Sequence, residues 1–97
     1  MPAAYVIVDI EVHDPEAYEE YKRLAPAAVA ACGGEYLVRG GEAEVFEGDW
    51  QPRRLVVLRF PDRERARAWL DSEAYAPARA IRHRSAATNM VAADGVG

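Results

Sequence analysis

The sequence predicts an α+β fold in which four antiparallel strands carry helices on one face. Three observations predict it. Residues 5–12 alternate between two side-chain sets, as a strand buried on one side does. Two later stretches open on an Asp beside a Pro and then bring apolar residues round at helical spacing. Between them, a glycine-punctuated hairpin runs from Gly33 to Phe60.

The first strand spans Tyr5 to Val12. Val6, Val8, Ile10 and Val12 share one face, suited to a core under helices, while Tyr5, Ile7, Asp9 and Glu11 share the other. Asp14 caps free N–H groups, and Pro15 fits the first helical position, where its missing N–H costs nothing. Tyr18, Tyr21, Ala25, Ala28, Val29 and Cys32 then fall on one side of a helix. Pro26 removes a backbone bond and crowds the preceding turn, so a kink or break is expected near Ala25. Gly33 stops the helix. Glu35 to Arg39 reads as a strand, Gly40 and Gly41 as a bulge or bend, residues 42–47 as an extended continuation, and residues 48–52 as a turn. Arg53 to Phe60 is apolar on both faces, which places it centrally in the sheet. Asp62 caps a second helix with Ala66, Trp69 and Leu70 inward. Asp71 and Ser72 break it, Ser72 can cap a further piece, and a helix from about Ala76 to Arg84 follows. Thr88 to Ala93 is the last strand.

This order of strand, helix, strand, strand, helix, strand is the ferredoxin-like arrangement. At 97 residues it is a single domain over 1–97, with 94–97 as a tail. The uncovered sheet face would hold Tyr5, Ile7, Leu55 and Val57. That is more apolar surface than a monomer leaves in water, and a closed two-fold homodimer would bury it.

Composition narrows the function classes. A formal net charge of −4 argues against nucleic acid as a partner, since phosphate binding rests on excess Lys and Arg. No apolar run approaches the roughly 20 residues that cross a bilayer, so no membrane partner is expected. The N-terminal residues run straight into a strand with Asp9 inside it and lack a signal-peptide pattern. The single cysteine, Cys32, makes no internal disulfide. Both features agree with a cytoplasmic protein.

Several segments carry a family resemblance. They are Tyr5-Val-Ile-Val-Asp-Ile, Asp14-Pro-Glu-Ala-Tyr, Gly33-Gly-Glu-Tyr-Leu-Val-Arg-Gly-Gly, Glu47-Gly-Asp-Trp, Arg53-Arg-Leu-Val-Val-Leu-Arg-Phe-Pro, Ala66-Arg-Ala-Trp and Ser72-Glu-Ala-Tyr. In these the chain resembles the small bacterial family DUF1330, within the dimeric α/β-barrel superfamily. The resemblance implies a ferredoxin-like fold and a homodimer with facing sheets. It implies no reaction. Superfamily relatives include cofactor-free monooxygenases of aromatic polyketides, lactone isomerases and haem-degrading enzymes, but fold alone does not carry function.

Asp9 and Arg59 are the candidate catalytic pair. They are expected on neighbouring strands, and a carboxylate inside a dimer needs a partner. Two readings stand: Arg59 holds a substrate carboxylate while Asp9 accepts a proton, or the two form a structural ion pair. Tyr36, Arg39, Trp50 and Asn89 are the candidate ligand-binding residues. A bend at the glycine pair would aim Arg39 into a cavity mouth. Trp50, on the turn, would either lid a pocket or pack on a partner subunit. Trp69 is a core residue by spacing, and the remaining tyrosines read as packing residues. His13 and His83 are the only histidines, and Arg79, Arg82 and Arg84 around His83 disfavour a metal there. No metal set and no cofactor motif is present, although Asp9 and Glu11 leave a carboxylate-only cation site open. The arginine cluster reads as a solvated helix end, with an anion site as the alternative. Cys32 sits where the helix dipole disfavours thiolate and reads as filler.

Three functional readings follow. In the first, a dimeric domain binds a small organic molecule, carboxylic acids included, between sheet and helices, and possible action on it needs no cofactor. In the second, the domain only dimerises or interacts. In the third, it is a cofactor-free monooxygenase. Haem degradation is disfavoured, because neither histidine falls on an expected pocket wall.

Overall fold

A computed structural model describes residues 2–97. The chain forms β1 (Ala4–Val12), α1 (Pro15–Ala31), β2 (Glu35–Arg39), β3 (Arg54–Phe60), α2 (Arg63–Asp71), α3 (Ala76–Ser85) and β4 (Ala86–Asp94). The four strands make one antiparallel sheet in the order β2-β3-β1-β4, the ferredoxin-like topology that the element order predicts. The alternation in β1 sets the layers. Val6, Val8 and Ile10 are buried beneath the helices together with Val56, Leu58 and Phe60 of β3. Tyr5, Ile7 and Asp9 face the other way, opposite Arg59, Val57 and Leu55.

The helix starts follow local chemistry. Asp14 accepts from the Ala17 N–H at 3.1 Å, and Asp62 accepts from the Arg65 N–H at 2.7 Å. Ser72 Oγ accepts from the Tyr75 N–H at 3.1 Å and so caps the turn that leads into α3. An aromatic chain fills the core. Phe60 packs on Trp69 with ring centroids 5.3 Å apart, Trp69 on Tyr75 at 4.5 Å, and Tyr75 on Tyr21 at 6.3 Å.

Three expectations are corrected. First, α1 is not broken near Ala25 but runs unbroken through Pro26. Pro26 has no N–H for the Lys22 carbonyl, and Arg39 Nη2 supplies the missing donor at 2.6 Å. Second, residues 42–47 are not extended strand. Gly40, at φ +73°, turns the chain away, and an irregular exposed loop follows as far as Arg53. Glu42, Glu44, Glu47 and Asp49 keep this loop polar, and Phe46 on it is 87% exposed. Third, the bulge falls between Tyr36 and Val38, ahead of the glycine pair. β4 also begins earlier than expected, at Ala86, because its pairing with β1 extends to Val12.

Candidate functional site

The bulge in β2 decides which side chains meet. Without it, Tyr36 and Arg39 would point to opposite faces, being an odd number of positions apart. With an extra residue between them, both lie on the helix side, opposite Leu58 and Val56 respectively. The Arg39 guanidinium then sits 4.9 Å from the Tyr36 ring centroid.

Behind them a small cavity of about 20 Å³ is enclosed between sheet and helices. Its polar walls come from every layer: Tyr18, Tyr21 and Lys22 from α1, Arg54 from β3, Trp69 from α2 and Arg82 from α3, besides Tyr36 and Arg39. Four cationic side chains line it, and among the described residues no carboxylate does. Lys22 is engaged with Glu19 at 2.8 Å outside the cavity. Arg82 is 3% exposed and, among the described residues, has no acidic partner. Its Nε donates to the Tyr75 hydroxyl at 3.1 Å and its Nη1 to Thr88 Oγ1 at 2.6 Å. The Tyr75 hydroxyl also bonds the Tyr21 hydroxyl at 2.7 Å. Arg54 lies 5.6 Å from the Tyr18 ring centroid. Two donors on the cavity residues, Arg54 Nε and Trp69 Nε1, are buried and meet no acceptor among the described residues.

Charge and burial oppose each other at the tyrosines. Burial raises the Tyr18 hydroxyl above its ordinary value, and Arg54 partly offsets that. Burial likewise raises Tyr36, with Arg39 opposing. Tyr21 is raised strongly, first by burial and then by the neighbouring Tyr75. All three therefore remain neutral donors near neutral pH. One buried cation, Arg82, with half-buried Lys22 and Arg54, exposed Arg39, neutral hydroxyls and an orphaned indole N–H, makes a donor-rich, acceptor-poor interior. Such an interior suits an anionic or strongly accepting guest.

The cavity shares Lys22, Arg39 and Arg54 with an outer cleft of about 690 Å³ on the α1 side, where Glu16, Glu19 and Glu20 also stand. A groove of about 680 Å³ lies between α2 and β4. Of its five charged residues, Arg63 and Asp94 pair with each other at 2.7 Å, and Asp62, Glu64 and Arg67 stand beside them.

The candidate residues divide between the two faces. Tyr36 and Arg39 reach the enclosed cavity. Asp9, Arg59, Trp50 and Asn89 do not line it. The expected Asp9–Arg59 pair does not form, because Arg59 lies opposite Tyr5, four positions along β1 from Asp9. Arg59 instead pairs with Glu35 at 3.2 Å on the surface. Asp9 accepts from Trp50 Nε1 at 2.7 Å and from the Arg53 N–H at 3.0 Å, so it fastens the long loop to the open face. Asn89 faces Asp9 across the β1–β4 ladder. Asp9 and Glu11 gather no third ligand: among the described residues no group of three or more His, Cys, Asp or Glu comes together as a metal site. The arginine cluster is also corrected, since Arg82 turns inward and is no part of a solvated helix end. Cys32 is a free, half-buried thiol packed against the core.

Sequence reasoning missed Arg54, Arg82 and Tyr18 as wall residues. A signal existed for the first two. Arg54 has the same parity as Val56, Leu58 and Phe60, and Arg82 follows Ala78 by one helical turn. A cation at a core-facing position is itself the mark of a buried polar site.

Residues 3–96 match the family profile described as "Domain of unknown function (DUF1330)". No curated protein matches the chain. Among solved structures, a protein of unknown function from Rhodopseudomonas palustris aligns with a TM-score of 0.76 at 14% identity, covering 99% of this chain and 84% of that one. SnoaB, a cofactor-independent oxygenase from Streptomyces nogalater, aligns with a TM-score of 0.64 at 14% identity, covering 100% and 96%. A putative antibiotic biosynthesis monooxygenase from Nitrosomonas europaea aligns with a TM-score of 0.59 at 18% identity, covering 100% of both chains. At these identities the likeness establishes the shared fold and nothing finer.

Proposed function

This chain belongs to the family described as Domain of unknown function (DUF1330), and from that premise we propose that it binds a small organic acid between its sheet and helices. One observation carries the proposal. Four elements each send a cation to one cavity; among the described residues no carboxylate lines it, only Lys22 has an acidic partner and that one lies outside, and two buried donors there lack an acceptor. A buried charge without a counter-charge is costly. A carboxylate guest supplies both the negative charge and the missing acceptors, through short charge-assisted hydrogen bonds. The guest's body meets Ile10, Val56 and Leu58 at the floor. Tyr36 and Arg39 are the two residues already singled out in the sequence that serve this site.

The test is a calorimetric titration of benzoate, salicylate and succinate into the whole chain. At least one should bind, and Arg54→Met should weaken it about tenfold while the fold is kept. Absence of heat and of any thermal shift with all three acids would overturn the reading.

The open sheet face favours a homodimer as the working form. Ile7, Leu55 and Val57 are only half-buried on it, and Val91 beside them is 61% exposed. The oxygenase chemistry named for a neighbour at 14% identity is not transferred, since nothing in this chain's cavity singles it out.

A further inference from the structure

We infer that Arg39 is the gate and the specificity-determining residue of this pocket, and that Pro26 provides the resting place from which it opens. The inference rests on the acid-binding reading above.

In an uninterrupted helix the Lys22 carbonyl would accept the N–H of residue 26. Pro26 has none, so this carbonyl is left free inside the helix. Arg39 Nη2 occupies it at 2.6 Å. The β2 bulge and the Tyr36 ring beneath Arg39 hold the guanidinium in line with that acceptor. Arg39 thus crosses from the sheet to the helix layer. It does so at the wall common to the enclosed cavity and the outer cleft.

Size makes this wall a gate. A cavity of about 20 Å³ holds a single water and no organic acid. Entry requires that the partition move. Arg39 is the exposed member of that partition, and its bond to Lys22 is to a neutral carbonyl. A carboxylate arriving from the cleft offers a charged acceptor with two oxygens, which matches the guanidinium fork better than one carbonyl does. Arg39 exchanges the Lys22 carbonyl for the guest's carboxylate, and cavity and cleft become continuous. The exchange selects for guests with the carboxylate at the end near Lys22, Arg39 and Arg54 and an apolar body directed at Ile10, Val56 and Leu58.

Benzoate has this form and serves as the probe. Its dissociation constant is measured by calorimetry with the wild-type chain, Pro26→Ala, Arg39→Met and the double variant. Pro26→Ala returns the Lys22 carbonyl to the helix and releases Arg39, so benzoate should bind about three- to tenfold more tightly. Arg39→Met should weaken binding about tenfold, and in its background Pro26→Ala should have no effect. If benzoate binds the wild type and Pro26→Ala leaves affinity unchanged or lower, the gate is wrong while the acid site stands. If the four proteins bind neither benzoate nor the other two acids, the acid site itself fails and the gate falls with it.

Discussion

At the scale of single residues, the interior is decided by which cations are turned inward. His83 reports on this without being part of the pocket. Its imidazole is held below the ordinary value of 6.5, first by desolvation and then by the Arg82 and Arg79 guanidiniums. As pH falls, the unfolded chain therefore takes up this proton before the folded one, and stability drops through the window just below 6.5. Below the folded value the contribution is flat. Melting temperatures measured between about pH 7.5 and pH 5 should show this decline. His83→Gln should remove it. An identical profile in that variant would mean that neither burial nor the arginines hold His83 below its ordinary value. In the sequence, the three basic residues after Ile81 look alike. Only helical phase separates Arg82, which points in with Ala78 and Ser85, from His83 and Arg84, which are exposed. Arg39 was singled out because a glycine pair follows it, although the bulge that turns it to the helix side lies between Tyr36 and Val38. Pro26 marks the Lys22 carbonyl as freed, but that Arg39 fills it was not legible, because the contact joins β2 to α1 across 17 positions.

At the scale of elements, most boundaries were readable, since caps and breakers are local. Asp14, Asp62 and Gly33 act where they stand. The failures were non-local. Pro26 does not interrupt α1, because a residue from β2 satisfies the freed carbonyl. The bulge at Leu37 leaves no glycine behind and is seen only in the pairing of β2 with β3. The junction between α1 and β2 shows how tightly these elements abut. A methyl on Gly34 would lie 2.5 Å from the Phe60 ring and 2.9 Å from Val29. Phe60 is fully buried against Trp69 and has nowhere to go. Gly34→Ala should cost about 1–3 kcal/mol, as overpacking does in a close-packed core. Urea denaturation measures it, and an unchanged midpoint would show that α1 and β2 can slide apart freely.

At the scale of the whole molecule, two surfaces remain unanswered by the chain itself: the open face of the sheet and the acidic loop with its exposed Phe46. Val57, at the centre of the open face opposite Ile7, tests the homodimer. Wild-type protein should scatter light as a dimer at micromolar concentration. Val57→Glu should give monomer or aggregate, because a carboxylate there would be buried without a partner. A stable dimer in that variant would place the contact elsewhere. The strand order has its own consequence. Cut the backbone within the loop and the first piece keeps β1 and β2 while the second keeps β3 and β4. Along the sheet these alternate, so each of the three ladders joins one piece to the other. Neither half can therefore lay down a single rung by itself. The two are teeth of one zipper, and a nicked molecule should hold together as a split reporter whose fragments regain structure only on meeting.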